Sequence, residues 1–103
     1  MRIRILGSGT SSGIPLVGSD DPVCRSSDSR DHRLRVSALF EVDGRRILID
    51  AGPDFREQML RENIDQVDAL LLTHGHKDHT GGLDELRAFN FKTRKALPVY
   101  ADQ

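Results

Sequence analysis

Tryptophan is absent, tyrosine occurs once, and aromatic residues make up 5% of the 103 residues, so the core must be built mainly from aliphatic side chains. A single cysteine, Cys24, excludes an internal disulfide framework and fits a reducing compartment. No uncharged apolar run exceeds Ala69–Leu72, far below the roughly 18 residues that a membrane span needs. The N-terminus alternates Arg with Ile instead of leading into an apolar signal segment. The expectation is a cytoplasmic protein with no membrane partner. Net charge is also slight, with fifteen Lys+Arg against sixteen Asp+Glu. Met1–Ala51 holds eight basic and seven acidic residues, and Gly52–Gln103 holds seven and nine. Bulk attraction to nucleic acid or an anionic surface is therefore not the operating principle. At 11.5 kDa the chain has room for one domain, 1–103.

Met1–Leu6 alternates Ile3 and Ile5 with Arg2 and Arg4, the period of a strand. Gly7–Arg33 shows no periodicity and reads as a long loop, the usual home of a functional wall. Arg35–Val42 and Arg45–Asp50 flank Asp43-Gly44, a tight-turn dipeptide, and predict a hairpin. After the breaker Ala51-Gly52-Pro53-Asp54, residues Phe55, Met59, Leu60 and Ile64 fall near helical spacing. Asp68–Thr73 reads as a strand covered on both faces. Leu83, Leu86, Phe89 and Asn90 predict a second helix, and Leu97–Ala101 a last strand.

Three of the four histidines crowd into Thr73-His74-Gly75-His76-Lys77-Asp78-His79, directly after that buried strand. A solvated polar turn would account for one histidine, but a cluster of three beside a carboxylate points to a shared ligand. If the chain leaves the strand extended, His74 and His76 face the same side and converge on one cation, with Asp78 and His79 placed to reach a second. Gly75 is expected to relieve a bend between them. Imidazole and carboxylate donors suit zinc, manganese or iron. Paired ions of this kind polarise a phosphoryl or carbonyl oxygen and acidify water, so the implied reaction is hydrolysis.

The run His74-x-His76-x-Asp78-His79 resembles the signature of the metallo-β-lactamase-fold hydrolases. Ile47-Leu48-Ile49-Asp50-Ala51-Gly52 is similar to the family's strand-Asp-Gly segment. Leu6-Gly7-Ser8-Gly9-Thr10-Ser11-Ser12-Gly13-Ile14-Pro15 resembles the opening of its phosphodiesterase branch, which includes phosphoribosyl cyclic phosphodiesterases and is similar to the transfer-RNA 3′-processing endonucleases. The resemblance implies an α/β fold, half of an αββα sandwich: a mixed sheet with two helices on one face. It implies that His74 and His76 bind a first zinc or manganese ion, that Asp78 and His79 bind a second, and that Asp50 orients them. Asp78 would also receive or orient the proton of attacking water. The substrate implied is a small phosphodiester or an RNA-like one.

Two departures from the family pattern matter. Where the phosphodiesterase branch commonly carries three cysteine ligands of a structural zinc, Gly18–Cys24 retains only Cys24, so no structural zinc is expected there. Four donors for two ions are also too few, since catalytic ions usually hold about three protein ligands each. The family's remaining ligands come from a second half-domain that these residues do not match, and the inner face of the sheet would be left bare. A homodimer or a complementing C-terminal half is the expected partner. The alternative is a catalytically weak or inactive metal-binding, self-associating half-domain. The hydroxyls of Ser8, Thr10, Ser11 and Ser12 are candidate phosphate contacts, with shaping of the turn as the competing role. Arg25, Arg30, His32, Arg33 and Arg35, interspersed with Asp28 and Asp31, read as a solvated mixed-charge loop before an anion site.

Overall fold

A computed structural model describes residues 1–102. Five strands form one mixed sheet in the order β1-β2-β3-β4-β5: Arg2–Gly7, Ser37–Val42, Arg45–Ile49, Ala69–Leu71 and Val99–Tyr100. The first three pair antiparallel, with Asp43-Gly44 turning the β2–β3 hairpin as predicted, and β3, β4 and β5 run parallel. The helices are α1 (Pro22–Arg25), α2 (Phe55–Glu62), α3 (Lys77–Thr80) and α4 (Arg87–Thr93). Among the described residues, no helix is long and apolar enough to cross a membrane.

The core lies between one face of the sheet and the helices α2 and α4, the half-sandwich arrangement expected. Leu6, Leu39, Leu48 and Leu70 project from successive strands and are fully buried. Phe55 and Met59 of α2, Leu86, and Phe89 of α4 close over them, with the two Phe rings edge-on at 5.6 Å. Burying each such leucine contributes about 2 kcal/mol. The α2 helix ends at Asn63 in the left-handed conformation, where its N–H caps the last turn. Asp54 stands at its N-cap but does not cap it, because its carboxylate accepts from the Arg35 amide at 2.8 Å and the Arg35 guanidinium at 3.0 Å.

The opposite face follows from the alternation of the same strands, and among the described residues no helix covers it. Ile3, Ile5, Leu71 and Tyr100 are exposed there, Ile5 to 64%, beside half-buried Ala38, Phe40, Ile47, Ile49 and Ala69.

The structure corrects several sequence-based expectations. The loop 7–33 contains α1 and a 3-10 turn at Ser29–Asp31, each started by an aspartate whose carboxylate accepts a following backbone N–H: Asp21 from Val23, and Asp28 from Arg30. The β4 strand stops at Leu71 instead of Thr73, because Thr73 turns its amide to Asp50. The segment from His76 coils into α3 instead of staying extended, and the second predicted helix is a 3-10 turn at Leu83–Leu86 running into α4.

Candidate metal centre

Strand direction decides where the site can be. Because β1, β3, β4 and β5 all point the same way, the segments following them gather at one edge of the sheet. Asp50 follows β3 and the histidine run follows β4 at the adjacent position. Asp50 adopts the left-handed conformation at φ 62°, which aspartate tolerates better than most residues at a cost of about 1 kcal/mol. This breaks the strand beside β4, where the carboxylate meets the start of the histidine run.

The Asp50 carboxylate, almost fully buried, accepts from the Thr73 amide at 2.8 Å through Oδ1. Its Oδ2 accepts from the Thr73 hydroxyl at 2.7 Å and lies 2.6 Å from His79 Nδ1. Burial alone would raise the pKa of Asp50, but the hydrogen bonds from His79 and Thr73 outweigh it and hold the carboxyl below the usual aspartate range. An ionised carboxylate at His79 Nδ1 fixes the proton there and leaves Nε2 as an acceptor, the arrangement in which carboxylates orient metal-binding imidazoles. Asp50 thus contacts His79, one of the four predicted ligands.

Backbone contacts lock the two segments together. Ala51 N–H donates to the His79 carbonyl at 2.9 Å, and Gly82 N–H donates to the Ala51 carbonyl at 2.8 Å. Gly52 lies so close to the Asp78 carbonyl that no side chain fits there.

The ring of His74 lies 4.6 Å from that of His76 and 4.0 Å from that of His79, centroid to centroid. His79 Nε2 and Asp78 Oδ2 are 3.2 Å apart. Two donors bound to one tetrahedral ion at about 2.0–2.1 Å stand roughly 3.3 Å from each other, so this pair has the spacing of two ligands of one cation. Among the described residues, no three or more His, Cys, Asp or Glu side chains are arranged to hold a metal ion. His74 and His76 are exposed, whereas Asp78 and His79 are half-buried. The donor types and the His79–Asp78 spacing fit a divalent ion, and the set is partial.

The remaining predicted residues are placed differently. Ser8, Thr10, Ser11 and Ser12 follow β1 at the same edge, but β2 and β3 separate β1 from β4, a lateral distance of roughly 14 Å. Their loop is held by Arg33, whose guanidinium donates to Ser8 Oγ at 3.2 Å, and by Arg35, which donates to the Ser11 carbonyl at 2.8 Å. Arg25, Arg30 and Arg35 pair with Asp20, Asp28 and Asp54, as a mixed-charge loop should. Cys24 lies in α1, its sulfur 3.4 Å from the Leu16 amide. Gly75 does not relieve a bend: a side chain there would meet nothing within 4 Å. Sequence reasoning missed Thr73, although its place beside His74 was the available signal. It also missed the recess of about 290 Å³ that Thr73 and His74 line with Leu72, Gly75, Ala101 and Asp102. A larger one, about 580 Å³ between α4 and the 95–98 segment, has none of the histidines in its lining.

Comparison with known proteins agrees with this architecture. A family model, the beta-lactamase superfamily domain, matches residues 45–103, more than half of the chain, and the chain belongs to that family. A protein of Porphyromonas gingivalis called octanoyltransferase is 55% identical over 104 residues, covering 100% of this chain and 21% of that protein. Coenzyme PQQ synthesis protein B of Methylobacterium radiotolerans is 36% identical over 101 residues, covering 84% of this chain and 34% of that protein. This chain thus spans about a fifth to a third of those relatives.

Among solved structures, a diphosphatase from the PhnP family superposes with a TM-score of 0.93 at 49% identity, covering 98% of this chain and 41% of that one. Zn(2+)-bound PqqB from Methylobacterium extorquens superposes with a TM-score of 0.74 over 99% of this chain and 46% of that one. At 22% identity that likeness is one of fold.

Proposed function

We propose that the chain is the metal-ligating half of a hydrolase that cleaves phosphodiester-class substrates, with a second sheet layer completing its dinuclear centre. The observation that carries this reading is the Asp50–His79–Asp78 array, a buried carboxylate orienting an imidazole whose outer nitrogen stands at ligand spacing from a second carboxylate. Support for reaction at phosphorus comes from the 49% identical diphosphatase and from the Ser- and Thr-rich loop at the same edge.

His74, His76, Asp78 and His79 would hold zinc or manganese, whose bound ions supply Lewis-acid polarisation of the phosphoryl oxygen and acidify water. Asp50 holds the His79 proton at Nδ1. Asp78, whose Oδ2 faces the cluster, orients water and takes up its proton. The bare sheet face and the partial donor set have one remedy, a layer that covers Ile3, Ile5, Leu71 and Tyr100 and contributes the remaining ligands. The complementing segment of a longer chain is the favoured source, since the 49% identical diphosphatase has more than twice the matched length. A second copy of this chain is the other outcome the test distinguishes.

The test is turnover of bis(4-nitrophenyl) phosphate, and of a dinucleotide, with added zinc or manganese, by the 103-residue chain and by the chain joined to a complementing half. The expected result is turnover by the completed protein that falls about 100-fold or more in His76→Ala and Asp78→Asn. Turnover by the 103-residue chain that rises with its dimerisation would assign the second layer to another copy. Metal uptake by the completed protein without turnover of either substrate would overturn the proposal in favour of a metal-binding assembly module.

A further inference from the structure

Thr73 lies between the orienting carboxylate and a second imidazole. Its Oγ1 is 2.7 Å from Asp50 Oδ2 and 2.9 Å from His74 Nδ1, so one hydroxyl spans both groups. A hydroxyl has a single proton to give. Asp50 already receives the Thr73 amide at Oδ1 and the His79 ring at Oδ2, and a carboxylate so surrounded by donors has no proton to return. The Thr73 proton therefore points to Asp50, and a lone pair of Oγ1 faces His74. The bond at 2.9 Å then requires the proton to sit on His74 Nδ1.

We infer that Thr73 is a positioning residue: its hydroxyl relays the orienting effect of Asp50 to His74, fixing the Nδ1–H tautomer and leaving Nε2 as the lone pair that takes up the cation. This rests on the metal-centre reading above. A single carboxylate thus sets two of the three imidazoles, His79 directly and His74 through one intervening hydroxyl. The relay as drawn does not include His76, whose ring lies 4.6 Å from that of His74.

Thr73 is exposed, so the relay depends on its two hydrogen bonds more than on burial. Thr73→Val keeps the branched shape and removes both bonds, whereas Thr73→Ser keeps the hydroxyl. The experiment measures zinc affinity by competition with a chelating dye. In parallel, long-range 1H–15N spectra read the His74 ring tautomer in metal-free protein. The expected result is an Nδ1–H ring in wild type and Thr73→Ser, lost in Thr73→Val, with zinc bound about 10-fold to 100-fold more weakly by the Val variant alone.

Wild-type affinity and tautomer in Thr73→Val would overturn the relay while leaving the metal centre standing, as would an equal loss in Thr73→Ser. Failure of the wild-type chain to take up zinc would instead overturn the centre and the relay's role in it.

Discussion

Gly52→Ala is expected to destabilise the chain by about 3 kcal/mol and to abolish metal uptake, although residue 52 supplies no donor. A methyl group there would drive into the Asp78 carbonyl oxygen, and the obstacle is backbone rather than the yielding end of a side chain. Neither partner can retreat cheaply. The Gly52 carbonyl accepts from Phe55 N–H at 3.1 Å at the start of α2, and Ala51 is bonded on both sides, to His79 and to Gly82. The displacement falls on α3, which carries Asp78 and His79. Gly75→Ala is the control, because that position lies inside the histidine run yet faces open space. Denaturant midpoints and zinc uptake check the pair. Wild-type behaviour in Gly52→Ala would show that the 50–52 segment does not set the position of α3.

The second large effect concerns the bare face of the sheet. Ile5, on the edge strand β1, is 64% exposed, flanked by Ile3 on the same strand and by Ala38 opposite on β2. A charge placed there costs the isolated sheet little, within about 0.5 kcal/mol, because the side chain already meets water. Once a second layer covers that face, the same charge is buried without a partner and costs several kcal/mol. Ile5→Lys is therefore expected to weaken association through this face by about 100-fold or more while leaving the denaturant midpoint of the uncovered chain unchanged. Sedimentation equilibrium over a concentration series, alone and with a complementing half, measures it. Unchanged association in Ile5→Lys would mean that the face is not where the second layer docks.

Much of this was legible in the residues, for specific physical reasons. The strands with strict alternation, Ile3/Ile5 and Val36–Val42, and the Asp43-Gly44 turn carry their structure locally, so pattern and outcome agree. The grouping of His74, His76, Asp78 and His79 was visible because they lie within one short segment. The pairing of Asp50 with His79 spans 29 residues and was accessible only through the family resemblance, since no local rule relates the ends of two neighbouring strands.

The parts that escaped were those decided by tertiary contacts. The length of β4 is set by Asp50 capturing the Thr73 amide, and the conformation after His76 by the backbone bonds to Ala51. Gly75 and Gly52 show the same limit. Its position between the histidines made Gly75 look like the site of a bend, whereas packing leaves no room for a side chain at Gly52. Thr73 went unread because a hydroxyl acquires its role only from the two groups it touches.

We propose that His74, His76, Asp78 and His79 take up a divalent cation, with Asp50 orienting His79. Equilibrium dialysis of the chain against zinc tests it most directly, with His76→Ala and His79→Ala alongside. Saturable uptake by the wild type, weakened severely by each substitution, is the expected result. No uptake by the wild type, or equal uptake by all three proteins, would contradict it.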